Sequence, residues 1–432
     1  MDPRAAATRL VGEVIRQSST SELADVSVFV PTGSTCYPAH DNRRDTASAS
    51  VNRHHPPLMR RASDRWLFAL YLVTALVVVA QQSWTHIDFN FEIFRRAFDH
   101  LRAGRDLYAP YPLEQVDRFK YSPTFALLFA PFALLPTIPA LALWNSLNVL
   151  SLWYAVRRLL PGRDGNIVLL IVFVEVVRTT QRAQSNALVV ALMVLAFVHL
   201  EQRRQLAASV SLVLGTSIKL FPLLGVVPAL FHPRRARMAL CMIVTGVSAI
   251  LLPLVMTSGR GLFAQYRSWL TLEIADSTAG VTGGGAGLYG GVMHWVRAVL
   301  GVAWPNWPIQ LAGGVVLLAP LARTAAGSDR DFRLRFLGSL LLFSTIFNHQ
   351  VESPSFVIAM TGVAIWYVRS PRRFADRALL AVTFVILSLG TNELMPEAIR
   401  AFVVQYKIKI LPCLVVWLVA QYQLLTGRRV RA

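Results

Sequence analysis

Charge is what this chain has least of. Only 16% of its 432 residues are Asp, Glu, Lys or Arg, where a soluble globular domain carries about 25%. Together with 54% hydrophobic residues, gathered into runs of roughly the length that crosses hydrocarbon, the shortage excludes an ordinary soluble domain. It points to a polytopic, all-α membrane protein. Cysteine is nearly absent too: Cys36, Cys241 and Cys413 lie far apart, which leaves neither a disulfide framework nor a metal-ligand spacing. No HExxH pattern occurs, so no metal site is expected, and no cofactor. The glycine-rich "VTGGGAGLYGG" neither follows a strand pattern nor leads into GxxxxGK[ST], which removes a nucleotide loop. It reads instead as a flexible loop that closes over a substrate.

Acidic residues are scarcer than basic ones, 24 against 43, for a net charge of +19. In a soluble protein that excess would suggest nucleic acid, but no basic stripe interleaved with aromatics and no nucleic-acid module appears, so nucleic acid is not an expected partner. The arginines fall between apolar runs and read as topology determinants beside anionic lipid.

Residues 1–62 differ from the rest, being rich in Ser, Thr, Ala, Pro and Arg without an apolar period. They read as a disordered, basic cytoplasmic tail or an upstream extension of the working protein, without the apolar centre and small-residue cleavage site of a secretory signal. From Trp66 onward, spans are expected near 66–84, 138–157, 166–180, 184–200, 205–217, 219–231, 236–256, 307–323, 333–348, 353–369, 376–391 and 407–425. Several are shorter than the roughly 20 residues a full crossing needs. Those meeting at "RTTQRAQSN" and "GTSIKLFP" are therefore expected to meet inside a cavity, since broken backbone at membrane depth must line protein or water. With twelve spans, seven arginine clusters from "RHHPPLMRRASDR" to the terminal "GRRVR" fall on one side, the cytoplasmic side by the positive-inside rule. The loop 85–137 breaks the pattern with Arg95, Arg96, Arg102, Arg105, Arg118 and Lys120, but long loops are less constrained by charge.

The opposite side collects Asp88, Gln181, Gln184, Lys219, Glu273, Asp276, His294, Asn348, His349, Glu352 and Glu393. That gathering describes a site at the outer surface rather than a conduction path. Asp88 follows the uncharged run 66–80. It is either the solvated end of a helix or a carboxylate whose apolar surroundings raise its pKa toward that of a general base. Phe91, Phe94, Phe98 and Leu101 recur at spacings of three and four, which predicts an amphipathic helix lying in the membrane interface. In "RFKYSPTFALLFAPFALLP", Pro123, Pro131 and Pro136 leave open a re-entrant helix or a kinked span. Tyr121 and Trp144 suit an interface.

Lys219 stands alone between two apolar runs, and Arg182, Gln184 and Asn186 sit between two others. Ionisable groups at such depth read as holders of a lipid phosphate, or as snorkelling side chains. Asn348, His349 and Glu352 lie within one turn of each other in "FNHQVESPSF", where His349 could orient a phosphate or hold a proton. Glu273, Asp276 and His294 flank the glycine-rich loop as weaker candidates.

Four segments in order carry a resemblance. The Asp-Phe after the first span with "AGRDLY" and "FKYSPTFALLFAPFALLP", then "AQSNALVVAL", "SIKLFPLL" and "FNHQVESPSF", are similar to those of glycosyltransferase family 87. These are GT-C fold integral-membrane proteins that include polyprenol-phosphate-mannose-dependent α-1,2-mannosyltransferases. Ala183 stands where that family commonly has glycine, and a single His349 where paired histidines are common. The resemblance covers residues 66–425 and implies that residues 63–432 form a GT-C catalytic domain. It further implies a multi-pass protein of a bacterial plasma membrane, active on the periplasmic or outer face. Its partners would be membrane lipids, a polyprenyl-phosphate sugar donor, mannose by implication, and a glycolipid or glycan acceptor. Asp88 would deprotonate the acceptor hydroxyl and the anomeric centre would invert. Lys219, Arg182 and His349 would steady the leaving phosphate, and Gln184, Asn186, Tyr121, Asn348 and Glu352 would line the substrate site. The competing reading is a transporter or flippase of a lipid-linked saccharide, which would call for inverted repeats and polar groups near the midplane.

Overall fold

The computed structural model describes residues 57–85, 89–279, 290–302, 304–323, 327–390 and 395–427. Asp88, Glu393, most of the glycine-rich segment and residues 1–56 of the tail expected to be disordered lie outside them, while residues 57–62 of that tail open the first helix. Among the described residues every element is helical, as the near-continuous apolar runs require: in hydrocarbon, backbone donors and acceptors must be satisfied within the segment.

α1 (Pro57–Thr85) packs on α5 (Thr137–Leu159) and α6 (Arg163–Gln181), and between them run α2 (Phe89–Arg102), α3 (Pro123–Leu128) and α4 (Ala130–Ala133). α7 (Asn186–Glu201) and α8 (Gln205–Ile218) form a hairpin, followed by a 3₁₀ helix (Phe221–Phe231) and α9 (Arg235–Leu251). α10 (Gly259–Ala279), α11 (Val292–Leu300) and α12 (Asn306–Leu318) lead to α13 (Arg330–Ile346), α14 (Phe356–Val368), α15 (Phe374–Ser388), α16 (Glu397–Gln405) and α17 (Ile410–Thr426). Each of the twelve expected spans is helical. Two helices, Arg65–Thr85 and Arg235–Val255, are long and apolar enough to cross a membrane, and α16 with α17, bent by 53°, can make a third. The protein is an all-α membrane protein in which most apolar helices are short.

The main core is an aromatic and aliphatic cluster running through α1, α5, α7, α13 and α14, with a smaller one where α7, α8 and α9 meet around Leu200, Leu212 and Met238. At its tightest point, where α13 crosses α14, a methyl group on Gly362 would sit 2.6 Å from the carbonyl of Gly338. Only hydrogen side chains allow that approach, the device that brings apolar helices together without a hydrophobic driving force.

Two expectations are corrected. The apolar stripe of α2 is not set against lipid: Phe91, Phe94, Phe98 and Leu101 are buried in the protein. Phe94 meets Phe125, Phe129 and Trp144 edge to face at 5.2–5.8 Å. Amphipathic spacing marks a covered face without saying what covers it, and here the proline-broken α3 and α4 supply the cover. Trp144 likewise is not interfacial; it is 1% exposed and donates from Nε1 to the carbonyl of Ala183 at 2.9 Å. The segment 123–133 resolves into helices of six and four residues, too short to cross.

The bundle has two unlike ends. At one, the arginine clusters close on the few carboxylates: Glu201 holds Arg333 in a fork at 2.7 and 2.8 Å, with His232 at 3.4 Å. Asp164 takes Arg369 and Arg372 at 2.6 and 2.7 Å, and Arg157 reaches Asn166 at 2.6 Å. Five of the seven clusters contribute. The chain therefore alternates direction as the charge pattern requires. The turns 182–185, 219–220 and 347–355 all lie at the opposite end.

One ionic element lies inside. Glu175, fully buried, accepts from Arg178 Nη1 at 3.0 Å and from Ser388 Oγ at 3.1 Å, while Arg178 also donates to the carbonyls of Leu387 and Ser388 at 2.8 Å. Replacing Arg178 with Met strands the carboxylate and both carbonyls, at a cost of roughly 3–5 kcal/mol. The thermal midpoint of the detergent-solubilised protein, followed by tryptophan fluorescence, is expected to fall clearly below wild type. An unchanged midpoint would show that the clamp contributes nothing to stability.

Candidate functional site

The helix breaks at the second end surround a cavity of about 570 Å³. α6 ends in a Schellman closure: the amide of Gln184 donates to the carbonyl of Thr179 at 3.1 Å and that of Ala183 to Thr180 at 2.8 Å. The closure places Ala183 at φ +48°, the left-handed region where a β-carbon is disfavoured. That is the physical reason glycine suits this position in the "AQSN" segment, and this chain carries the strain of alanine instead.

The closure turns Gln184 into the cavity. Its Nε2 donates to Asn90 Oδ1 at 3.2 Å and to Glu352 Oε2 at 3.3 Å, while Asn90 Nδ2 donates to the carbonyl of Arg182 at 2.8 Å. Gln184 thus joins the start of α2 to the 348–352 turn. Lys219, at the end of α8, donates from Nζ to Asn186 Oδ1 at 2.7 Å and lines the cavity. Gln184 Oε1, Asn186 Nδ2 and His349 Nε2 are buried without a hydrogen-bond partner, polar capacity at odds with the usual satisfaction of buried groups.

Of the residues expected at the site, Lys219, Gln184, Tyr121, Asn348, His349 and Glu352 share the cavity wall. Asn186 stands behind it as the partner of Lys219. The side chain of Arg182 is exposed and does not line the cavity; only its backbone carbonyl joins the network. Asp88 is outside the described residues, but Asn90, two positions on, lies on the wall. Glu273 lines the wall as well, on α10, which is too polar to be counted among the spanning helices. Burial, with Asp276 one turn on, pushes its carboxyl up to about 7, against the pull of Lys120 and Lys219.

A second histidine stands in the neighbourhood: His294 on α11 senses the charge of His349. Burial, assisted by Arg297, brings His294 down to about 4, and burial lowers His349 as well. Both imidazoles are therefore neutral at physiological pH. No group of three or more His, Cys, Asp or Glu side chains in metal-binding array occurs among the described residues.

Sequence reasoning missed Asp117, Arg118, Trp269, Gln310 and Gln350, which also line the cavity. No periodicity marks them, because they come from a long loop, the middle of α10, the start of α12 and the turn after α13. Their placement follows from hydrogen bonds that strap α10 over the loop 103–122. Gln265 Nε2 donates to Arg105 O at 2.7 Å, its Oε1 accepts from the amide of Leu107 at 3.0 Å, and Trp269 Nε1 donates to Lys120 O at 3.3 Å. Lys120 Nζ and Gln350 Nε2 both reach Asp276 Oδ2 at 3.3 Å.

The cavity is amphipathic. Beyond Lys219 its wall turns apolar along Leu220, Phe221, Leu223 and Leu224, facing Phe343 and Phe347. Pro222 and Pro228 hold this stretch in a 3₁₀ helix by withholding backbone donors. Leu220 and Leu223 are about half exposed, 51% and 49%, so the apolar flank is open on one side.

The sequence model of glycosyltransferase family 87 matches residues 119–345, just over half of the chain. A search of curated proteins finds no match.

The strained closure makes a direct prediction. Ala183→Gly relieves a left-handed alanine, worth about 1 kcal/mol, and is expected to melt at or above the wild-type temperature. Ala183→Val, β-branched at a fully buried position, is expected to melt well below it. The reverse order in a thermal melt would refute the closure.

Proposed function

The chain belongs to glycosyltransferase family 87, and from that premise we propose that it moves a hexose, mannose by family resemblance, from a polyprenyl-phosphate donor to a lipid or glycan hydroxyl. The supporting observation is the amphipathic cavity. Its polar end around Lys219 and His349 suits a sugar and phosphate, and its open apolar flank along Leu220 and Leu223 suits a prenyl chain lying in the membrane. The arginine clusters occupy the other end of the bundle, which under the positive-inside rule supports a cavity on the outer face.

In this reading Asp88 takes the proton of the acceptor hydroxyl. The freed oxygen attacks the anomeric carbon opposite the phosphate, the carbon inverts, and the electrons of the C–O bond leave with the polyprenyl phosphate. That leaving group needs a fixed positive charge, and Lys219, held by Asn186 at 2.7 Å, supplies it. Neutral His349 donates a hydrogen bond rather than a charge, and Gln184, Asn348, Glu352 and Tyr121 meet the sugar hydroxyls. Asp88 sits between α1 and α2, two residues before the cavity-lining Asn90, which supports its place at the mouth.

Wild type and Asp88→Asn in lipid nanodiscs, offered a panel of polyprenyl-phosphate sugars and membrane lipid extract, provide the test. Hexose transfer by wild type, reduced about 1,000-fold or more in a folded Asp88→Asn that still binds donor, is the expected result for loss of the general base. Equal transfer by the two proteins would return Asp88 to the solvated end of a helix. Translocation of a lipid-linked saccharide without any transfer would establish the transporter instead.

A further inference from the structure

We propose that Glu273 is a second proton-carrying group of this site, the acid that donates to the phosphate as it leaves. The inference rests on the transferase reading above.

Three carboxylates line the cavity among the described residues: Asp117, Glu273 and Glu352. Asp117 is tied to Lys120 at 3.3 Å and its side chain is 60% exposed. Glu352 accepts from Gln184 at 3.3 Å and so serves the wall. Glu273 is placed differently. α10 turns Trp269 and Glu273, one turn apart, into the cavity, while Phe263, Leu270 and Ile274 on its other side are exposed. The straps from Gln265 and Trp269 to the loop 103–122 hold that orientation. Glu273 and Lys219 line the same cavity and sense each other's charge, so a phosphate held there by Lys219 shares the cavity with the Glu273 carboxyl.

The groups facing Glu273 come from every side. Asp276 on its own helix repels its charge; Lys120 from the loop and Lys219 from α8 attract it. Tyr108 and Tyr121 sense it from the loop, and His349 and Glu352 share the wall from the turn. Burial and Asp276 prevail, and the group titrates at about 7. It is therefore largely a neutral acid below that pH, matched to a phosphate monoester whose second pKa is near 6.

Bonds and charge balance. The donor phosphodiester carries one negative charge. When the C–O bond breaks, its electrons go to the bridging oxygen, and the proton of Glu273 goes to the phosphate, which departs still bearing one charge. The acceptor proton resides on Asp88 and is released to water, from which Glu273 recovers its own. Without that donation, two negative charges would gather on the phosphate in a largely buried site.

The sign of the pH effect follows. Glu273 is competent when protonated, so turnover falls as pH rises through about 7. Wild type, Glu273→Gln and Glu273→Asp are compared in nanodiscs for kcat and donor KM from pH 5.5 to 9, with folding checked by thermal melt. Glu273→Gln, neutral but unable to give a proton, is expected to lose about 100-fold in kcat, keep donor KM within a few-fold, and lose the alkaline decline. Glu273→Asp is expected to restore the decline and part of the rate. Wild-type kcat in Glu273→Gln, or a reduced kcat with the decline unchanged, overturns the proposal. If Glu273→Gln does not fold, an alkaline decline absent from Glu273→Asp overturns it equally. Should wild type transfer no hexose from any polyprenyl-phosphate donor, the functional reading fails and this proposal with it. Transfer by wild type with an indifferent Glu273→Gln sinks the proposal alone.

Discussion

Everything in this fold answers to one constraint: backbone polar groups surrounded by hydrocarbon must find partners inside the protein. Long helices meet it alone, but most apolar helices here are short, so their ends must be closed by something. The closures are the Schellman turn at Ala183, the bond from the Lys219 amide to the carbonyl of Gly215 and the hydrogen-bonded 348–352 turn. Because the chain alternates direction, these closures fall at the same end, and the polar atoms that finish the helices become the wall of a cavity. Structural necessity and site construction are one arrangement here.

The second end shows the same economy with charge. Glu201, Asp164 and Asp331 each hold one or more arginines, so scarce carboxylates neutralise part of the positive excess and join segments far apart in the chain. Polarity of the bundle thus arises from the same residues that set its topology.

Between the two ends, aromatic packing decides depth. Phe91, Phe94, Phe125, Phe129 and Trp144 form one edge-to-face cluster, which seats α2 on α3 and α4. That seat carries the segment after Asp88 against the cavity wall instead of leaving it on the lipid surface. α10, strapped across the loop 103–122, supplies a further wall, and with it Glu273.

Read alone, the sequence already established an all-helical membrane protein, twelve helical runs, the alternation of arginine clusters and the family. Those properties depend on composition, periodicity and order along the chain, which no packing can change. It also named Lys219, Gln184, Tyr121, Asn348, His349 and Glu352, because a lone polar residue inside an apolar run advertises its cost. Tertiary structure alone decided that the stripe of α2 faces protein, that Arg182 points outward while Asn186 backs Lys219, and that His294 senses the charge of His349. It alone brought Asp117, Trp269 and Gln350 to the wall and made Glu273 an acid. Burial and proximity set those outcomes, and both depend on which distant segments meet, a quantity absent from any local pattern.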